Sequence, residues 1–371
     1  MVAVHYHTGQ FPPDERLDWQ KLIPLIGPAQ AAIARYDGML AAIPNPGVLL
    51  APLTTREAVL SSRIEGTQAT MGEVLEFEAG QEPDSPALRA DIREVLNYRA
   101  ALRRAEEMLE NLPLAGRVIR EAHSVLLAGV RGEGRAPGEY RRISNWIGPP
   151  NCTIDEATFV PIGADKLPDA MSAWERYLHR DAPDRLVQLA ILHAEFEALH
   201  PFLDGNGRLG RLLVPLFLWQ RNLIRVPRFY ISAYLEPRRD AYYDGLLSVS
   251  RDDDWTGWCQ FFLRAMKEQA EDNMVKTQSI IDLYDDMKRQ VADLTHSQYA
   301  IRALDWLFER PIFRLPDFAV KTDTPPRTAR RILEVLCEGG VLRVIIRGRG
   351  SRASLLAFPA LLSLVEGQQV W

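Results

Sequence analysis

The stretch HPFLDGNGRLGR, His200 to Arg211, decides how this 371-residue chain is read. Pro201 disfavours helical geometry at the residue before it, so a helix arriving from the N-terminal side stops at His200. Gly205 and Gly207 permit tight backbone geometry and Asn206 tolerates left-handed conformations, after which a new helix starts near Gly207 or Arg208 and runs to about Arg221. Successive N–H groups in such a turn, at a helix N-terminus, make an anion site. Arg208 and Arg211 are three apart and project from one face of the first turn. Two cations there oppose the helix dipole, a conflict that a bound polyphosphate removes. Asp204 offers the hard oxygen that Mg²⁺ takes when it travels with nucleotide phosphates. His200, with an ordinary pKa near ~6.5, can take a proton at neutral pH. Singly, these are a helix end, a turn and a solvated face. Together they suit phosphoryl or nucleotidyl transfer to a hydroxyl, in which positioning and charge neutralisation do most of the catalysis.

Working outward, the composition is that of a soluble globular protein, with 47% hydrophobic and 25% charged residues. The net charge of −5 gives no global attraction to nucleic acid or anionic membrane. Cys152, Cys259 and Cys337 are scattered, with neither metal-ligand spacing nor a disulfide framework, which suits a reducing cytoplasm. The start lacks the basic and apolar regions of a signal peptide, and the longest apolar run, Leu212 to Trp219, is too short to span a bilayer. The expectation is a cytoplasmic protein with no membrane partner. There is no GxxxxGK[ST], no strand-embedded GxGxxG and no HExxH, so P-loop, dinucleotide and zinc-protease sites are set aside.

Helical periodicity dominates the chain. It predicts a short piece around Gln30 to Leu40, and a helix over TTREAVLSSRIEG capped by Thr54 with Glu57 and ended by Gly66. Further helices are expected over 88–110, 115–127, 167–179, 184–199, 238–250 and 254–290. The Gly/Pro-rich segment 129–162 carries β-type patches at RISNWI and ATFVPI and reads as a hairpin or flap. From Ser297 the order is helix, short helix, helix and two short strands around a Gly/Arg turn, that of a winged helix. With eleven Lys/Arg against seven Asp/Glu, this tail carries about +4 while the rest carries about −9.

HPFLDGNGRLGR matches HxFx(D/E)GNGRxxR at every fixed position, and GEYR at 138–141, ATFVPIG at 157–163 and AYYDGLL at 241–247 are similar to neighbouring family segments. On these residues the chain resembles the Fic family over roughly residues 10–290. The resemblance implies a mainly α fold: a Fic-type helical bundle with a small β-hairpin flap, plus the winged-helix-like domain. Residues 1–110 would form an N-terminal helical region with an inhibitory helix at about 55–66. Residues 111–290 would form the catalytic core with its flap at about 145–162, and 297–371 the tail. The implied activity is transfer of AMP from ATP to a Ser, Thr or Tyr hydroxyl of a target protein, self-modification included, with release of pyrophosphate. His200 would be the general base and Asp204 the Mg²⁺ ligand. Gly205, Asn206, Gly207 and Gly210 would belong to the nucleotide site, Arg208 and Arg211 would grip the outer phosphates, and Tyr242 and Tyr243 would line the pocket. Phe202 would anchor the loop, and Ile154, Thr158, Phe159 and Val160 of the flap would clamp the target's backbone by strand addition.

SSRIEG, 61–66, is similar to the family's inhibitory pattern (S/T)xxxE(G/N), through Ser61, Glu65 and Gly66. Ser61 and Glu65 lie four apart on one helix face, and a carboxylate near a helix C-terminus is disfavoured unless it finds a cation. Arg211 is a suitable one, and the pair would hold the enzyme self-inhibited; the same glutamate could position a water to remove AMP. The tail places Arg327, Arg330 and Arg331 on a helix and Arg347, Arg349 and Arg352 in its wing, where they could meet DNA phosphates. The competing class is therefore a DNA-binding regulator whose Fic-like body senses nucleotide, although a pure sensor has no need of His200. A symmetric homodimer is the default assembly.

Overall fold

The computed structural model describes residues 3–43, 45–130, 134–149, 152–349 and 353–367. In chain order the elements are β1 (Val4–His5), α1 (Trp19–Ala42), α2 (Pro46–Leu49), α3 (Ala51–Ile64), α4 (Met71–Glu78), α5 (Pro86–Leu109) and α6 (Gly116–Leu126). They continue with β2 (Phe159–Val160), α7 (Leu167–His179), α8 (Arg185–Leu199), α9 (Asn206–Gln220), α10 (Ser232–Leu235), α11 (Arg239–Asp252) and α12 (Trp255–Thr295). The last are α13 (Ala300–Glu309), β3 (Ile312–Arg314), α14 (Leu315–Lys321), α15 (Pro326–Glu338), β4 (Arg343–Ile346), β5 (Leu355–Ala357) and α16 (Pro359–Glu366). The protein is mainly α, as its periodicity predicts, and among the described residues no helix is long and apolar enough to cross a membrane.

The chain divides into two compact units, the first built from Met1–Gly38, Leu60–Gly66 and Leu96–Glu271. Its centre is the antiparallel pair α8 and α9. Asp184 caps α8, its Oδ1 accepting from the N–H groups of Leu186 (2.9 Å) and Val187 (2.8 Å). Two buried tryptophans bolt their neighbours onto α8: Trp174 of α7 donates to Leu192 O at 2.9 Å and Trp258 of α12 to Ala190 O at 2.7 Å. Nearly every residue of α9 from Arg208 to Leu218 is buried, so the signature motif lies at the heart of the unit rather than on a surface turn.

The N-terminal helices depart from the sequence reading. The short piece expected at Gln30 to Leu40 is the C-terminal half of α1, which runs straight through Pro24 and Pro28. Each interior proline costs a helix about 3 kcal/mol, but Leu22, Ile33 and Tyr36 are almost wholly buried on this helix, at about 1.5–3 kcal/mol each. The capping box at Thr54 does not form. α3 begins at Ala51, and Thr54 lies inside it with Oγ1 donating back to Leu50 O at 3.3 Å. A true box stands at Thr70 and Glu73, where it starts α4, a helix the sequence reading omitted.

Among the described residues the flap is closed by one antiparallel bridge, between Ile147 and Phe159, and RISNWI forms no longer strand. The ATFVPI limb instead pairs in parallel with the N-terminal β1, Val4 opposite Phe159 and His5 opposite Val160.

The second unit comprises Met39–Val59, Thr67–Val95 and Asp272–Trp371. Its C-terminal part has the three helices and hairpin expected, and a third strand, β3, completes an antiparallel sheet of order β3-β5-β4. α15 buries Ala329, Ile332, Leu333 and Leu336 and leaves Arg327, Arg330 and Arg331 exposed. Arg347 and Arg349, between β4 and β5, are also exposed, and Arg352 lies outside the described residues.

Candidate active site

α8 delivers His200 at its C-terminal cap, in the left-handed region at φ 46°, ψ 60°. Pro201 closes the right-handed region to it, and the left-handed alternative carries a steric cost of about 1–2 kcal/mol for a residue with a Cβ. Arg141, at the end of GEYR, holds this conformation. Its Nε donates to His200 O at 3.0 Å, and its Nη2 donates to Leu199 O at 3.3 Å and to Ile162 O. With Nη1 also donating to Ile143 O at 3.3 Å, a buried guanidinium with four carbonyl partners is a strong brace. Burial pushes the His200 imidazole down to about 4, so it is neutral and able to accept a proton.

The loop from Phe202 to Gly205 is tied to itself and to α6. Asn206 takes up both main-chain groups of Phe202: its Oδ1 accepts from the N–H and its Nδ2 donates to the carbonyl, each at 2.9 Å. Asn206 is thus a helical residue whose amide braces the turn, and not the left-handed residue its type suggested. That role falls to Gly205 at φ 76°, where a Cβ would also crowd Leu126 Cδ2 at 3.2 Å. Phe202 is fully buried and stacks on His123 with ring centroids 3.7 Å apart. The N–H of Gly138 donates to His123 Nδ1 at 2.8 Å, which leaves the proton on Nε2 to donate to Asp204 O at 3.0 Å. Burial lowers His123 to about 4 and so keeps it neutral.

Asp204 points partly into solvent. Its Oδ1 accepts from Gly205 N at 2.6 Å and from Arg208 Nη2 at 3.2 Å, and Oδ2 has no partner among the described residues. Among those residues there is no group of three side chains able to hold a metal by itself. One open carboxylate oxygen beside a helix N-terminus fits a magnesium ion that arrives with phosphates, which binds through one or two carboxylates and keeps its waters. It does not fit a resident structural metal.

Arg211 is the most enclosed charge of the site, with no exposed side-chain surface. Its Nε donates to Ser61 Oγ at 2.9 Å, and its Nη2 donates to Ser61 O and to Glu65 Oε1, both at 2.7 Å. Burial would raise the Glu65 carboxyl, but Arg211 above all, with Arg208 and His200, holds it below its ordinary value. The carboxylate also sits on the first turn of α9. A Cβ at Gly207 would lie 2.3 Å from Glu65 Oε1 and 3.1 Å from Arg211 Nη1. Only glycine leaves room there, and the position Glu65 fills is the one a helix N-terminus offers to an anion. Gly66 follows at φ 104°, ending α3 in a conformation glycine adopts without strain.

Tyr242 and Tyr243 approach the same arginine from α11, and both feel its charge. Tyr242 is buried, its hydroxyl 2.8 Å from His193 Nε2, while Tyr243 is partly exposed with Arg239 over its ring at 5.4 Å. The flap residues divide. Ile154 and Thr158 are exposed, Val160 is partly buried, and Phe159 is packed inward. Both edges of this short strand are engaged, since Phe159 N and O pair with Ile147 while Thr158 O and Val160 O accept from Val4 and Tyr6. Exposed apolar side chains collect on the flap all the same, at Ile143, Trp146, Ile147 and Ile154.

Residue chemistry in the motif brought His200, Asp204, Arg208 and Arg211 into view, and they do converge. Three neighbours escaped it. Arg141 was visible only as part of GEYR, His123 had no local signal, and Glu197, one turn before His200, looked like one more helical acid.

Comparison with known proteins places these residues in a wider set. Residues 23–107 match the family model described as Fic/DOC family N-terminal, and residues 113–218 match that of the Fic/DOC family; together they span just over half of the chain. A probable protein adenylyltransferase of Aquifex aeolicus is 29% identical over 96 residues, which is 26% of this chain and 30% of that protein. The match thus spans less than a third of the relative's length. Among solved structures, a Fic family protein from Desulfovibrio desulfuricans G20 superposes with a TM-score of 0.56 at 22% identity, covering 91% of this chain and 95% of its own. A Fic domain containing signaling protein from Bacteroides thetaiotaomicron gives 0.55 at 18% identity, over 68% and 96%. These likenesses are of fold.

Proposed function

The chain belongs to the Fic/DOC family, and from that premise we propose that it transfers AMP from ATP to a hydroxyl of a protein target, and that Glu65 restrains this activity. The observation that carries the proposal is Arg211, a buried guanidinium beside the N-terminus of α9 whose present anion is the Glu65 carboxylate. A site that already holds a carboxylate against a buried guanidinium, over the first turn of a helix, suits phosphate oxygens.

In the proposed reaction the target hydroxyl oxygen attacks the α-phosphorus of ATP. The hydroxyl proton passes to the neutral imidazole of His200, the bond from the α-phosphorus to the bridging oxygen breaks, and pyrophosphate leaves. Main-chain N–H groups at Asn206 and Gly207 face the phosphates, joined by that of Gly205 once Asp204 Oδ1, its present acceptor at 2.6 Å, turns away, with Gly210 leaving space behind them, while Arg208 and Arg211 neutralise the leaving group. Asp204 would hold the magnesium ion, which supplies charge neutralisation on the phosphates. Arg141, His123 and the side-chain amide of Asn206 keep the histidine and the loop in register without touching the substrate. The exposed Ile143, Trp146, Ile147 and Ile154 of the flap suit a partner with apolar side chains. With both edges of Phe159–Val160 engaged, strand addition there requires Val4–His5 or Ile147 to give way.

Mass spectrometry of the intact chain after incubation with Mg²⁺-ATP tests the reading. An AMP-sized gain in Glu65→Gly, smaller in the native chain and absent when His200→Ala is added, supports it. Hydrolysis of ATP to ADP or transfer of phosphate alone would refute AMP transfer. The alternative, a DNA-binding regulator, draws on the exposed Arg327, Arg330, Arg331, Arg347 and Arg349 of the second unit. It predicts duplex binding that weakens steeply with salt.

A further inference from the structure

Glu197 projects from α8, three residues before His200, toward the start of α9. Its carboxyl lies directly over Gly210, where a Cβ would come within 2.2 Å of Oε1 and 3.2 Å of Cδ. Oε1 is buried and accepts no hydrogen bond among the described residues. A buried carboxyl oxygen without a hydrogen-bond partner is costly and rare in folded proteins. Arg211 follows Gly210 on α9, and its Nη1 is likewise buried without an acceptor, while Nε and Nη2 are spent on Ser61 and Glu65. Two carboxyl groups therefore attend one guanidinium: Glu65 is bonded to it and Glu197 stands by.

We propose that Glu197 is the counter-ion that receives Arg211 when Glu65 withdraws, and so is a positioning residue for the reaction. This rests on the functional reading above, in which Glu65 must leave before Arg211 can hold a phosphate. Without a second carboxylate, that departure would leave a fully buried guanidinium with no counter-charge and only the neutral oxygens of Ser61 as partners, a penalty for any buried ion. Glu197 removes the penalty. It loses its proton to solvent, pairs with Arg211 through the orphaned Nη1, and leaves Nη2 directed to where Glu65 had been while Nε stays on Ser61 Oγ.

Electrostatics supports the same alternation. Burial, offset in part by Arg211 and reinforced by Glu65, pushes the Glu197 carboxyl up to about 8, so it carries a proton near neutral pH while Glu65 is in place. The titratable and charged groups that act on it are Arg211 on α9, Glu65 following α3, His200 on α8 and Tyr242 on α11, with His193 on α8 and Tyr243 on α11 beside the same Arg211. Burial lowers the two histidines to about 3 and about 4, so both are neutral wherever Glu197 titrates, and both tyrosines are raised above that range. Glu65 is the group whose removal changes the balance.

The test is the titration of Glu197 in the full-length protein, followed by its carboxyl carbon in ¹³C NMR and assigned with Glu197→Gln. The native chain is expected to titrate near the value above, and Glu65→Gly to titrate lower by about 1–3 pH units, because a like charge has gone and the guanidinium is open. An unchanged midpoint would overturn the proposal, and this comparison needs no substitution at 197. The second readout is the pH profile of AMP transfer. Native activity divided by that of Glu65→Gly should rise as pH passes through the native Glu197 midpoint, and Glu197→Gln should flatten that rise. A rise that survives Glu197→Gln counts against the proposal. If no variant transfers AMP, the functional reading fails while the NMR titration still decides the role of Glu197.

Discussion

Glu65→Gly removes the carboxylate that holds Arg211, and the geometry sets the size of the response. The bond is charge-assisted, 2.7 Å long, and reaches a guanidinium with no exposed surface, while the Glu65 side chain keeps 30% of its own surface in water. A bond of this type between charged groups contributes about 1.5–3 kcal/mol. Partial exposure of the acid argues for the middle of that range, about 2 kcal/mol. Since every 1.4 kcal/mol is tenfold, the restrained state is favoured by roughly 30-fold. AMP transfer by Glu65→Gly should therefore exceed that of the native chain by about that factor. It is read as the initial rate of mass gain on the chain itself or of pyrophosphate release. Because the pair is enclosed, the gain should change little as salt rises, unlike that of a surface pair. A gain below about threefold, or one that salt abolishes, would refute the reasoning, since both would mean that the bond to Arg211 does not restrain the site.

His200→Ala in the Glu65→Gly background should lower transfer by about 10²–10⁴-fold while calorimetry still detects ATP binding; loss of binding would make His200 a loop anchor instead of a base. Burial sets His123 and His200 at about 4 and His193 at about 3, below the ordinary value near 6.5. The unfolded chain therefore takes up protons that the folded chain refuses, so stability is full above about pH 6.5 and falls as pH drops toward 4. Urea midpoints that stay flat between pH 7 and 5 would contradict this. Asn206→Ala strands the N–H of Phe202, whose carbonyl keeps Asn145 Nδ2 at 3.1 Å, and should cost about 1–3 kcal/mol in chemical denaturation; a cost below about 0.5 kcal/mol would mean that the turn holds itself. Gly210→Ala drives a methyl into Glu197 and should cost about 1–3 kcal/mol, most of it recovered by adding Glu197→Ala. No recovery would place the strain elsewhere.

The sequence by itself determined the helical class, the break at His200 and the cluster of base, acid, glycines and arginines behind it. These are local properties: a proline restricts its predecessor, helical spacing repeats every few residues, and the dipole conflict of Arg208 and Arg211 lies within one turn. The pairing of Glu65 with Arg211 is also legible there, because a carboxylate at a helix end needs a cation and the motif supplies one, whereas the two bonds of Ser61 to that arginine are not.

What only the tertiary structure decided comes from groups distant along the chain. The parallel strand that Val4–His5 adds to the flap joins segments more than 150 residues apart, and no short pattern announces it. α1 persists through two prolines, the burial of Leu22, Ile33 and Tyr36 offsetting a local penalty of similar size. Asn206, expected to bend the backbone, instead braces it, since Gly205 takes the left-handed position and frees the amide to bond Phe202. Arg141, His123 and Glu197 acquire their roles only when α6, the flap and α8 close around the loop. Burial then turns an ordinary arginine into a brace, a histidine into a fixed donor, and a helical acid into a neutral carboxyl beside Arg211. A sequence states which groups are available, but their ionisation and partners depend on the water excluded when distant segments meet.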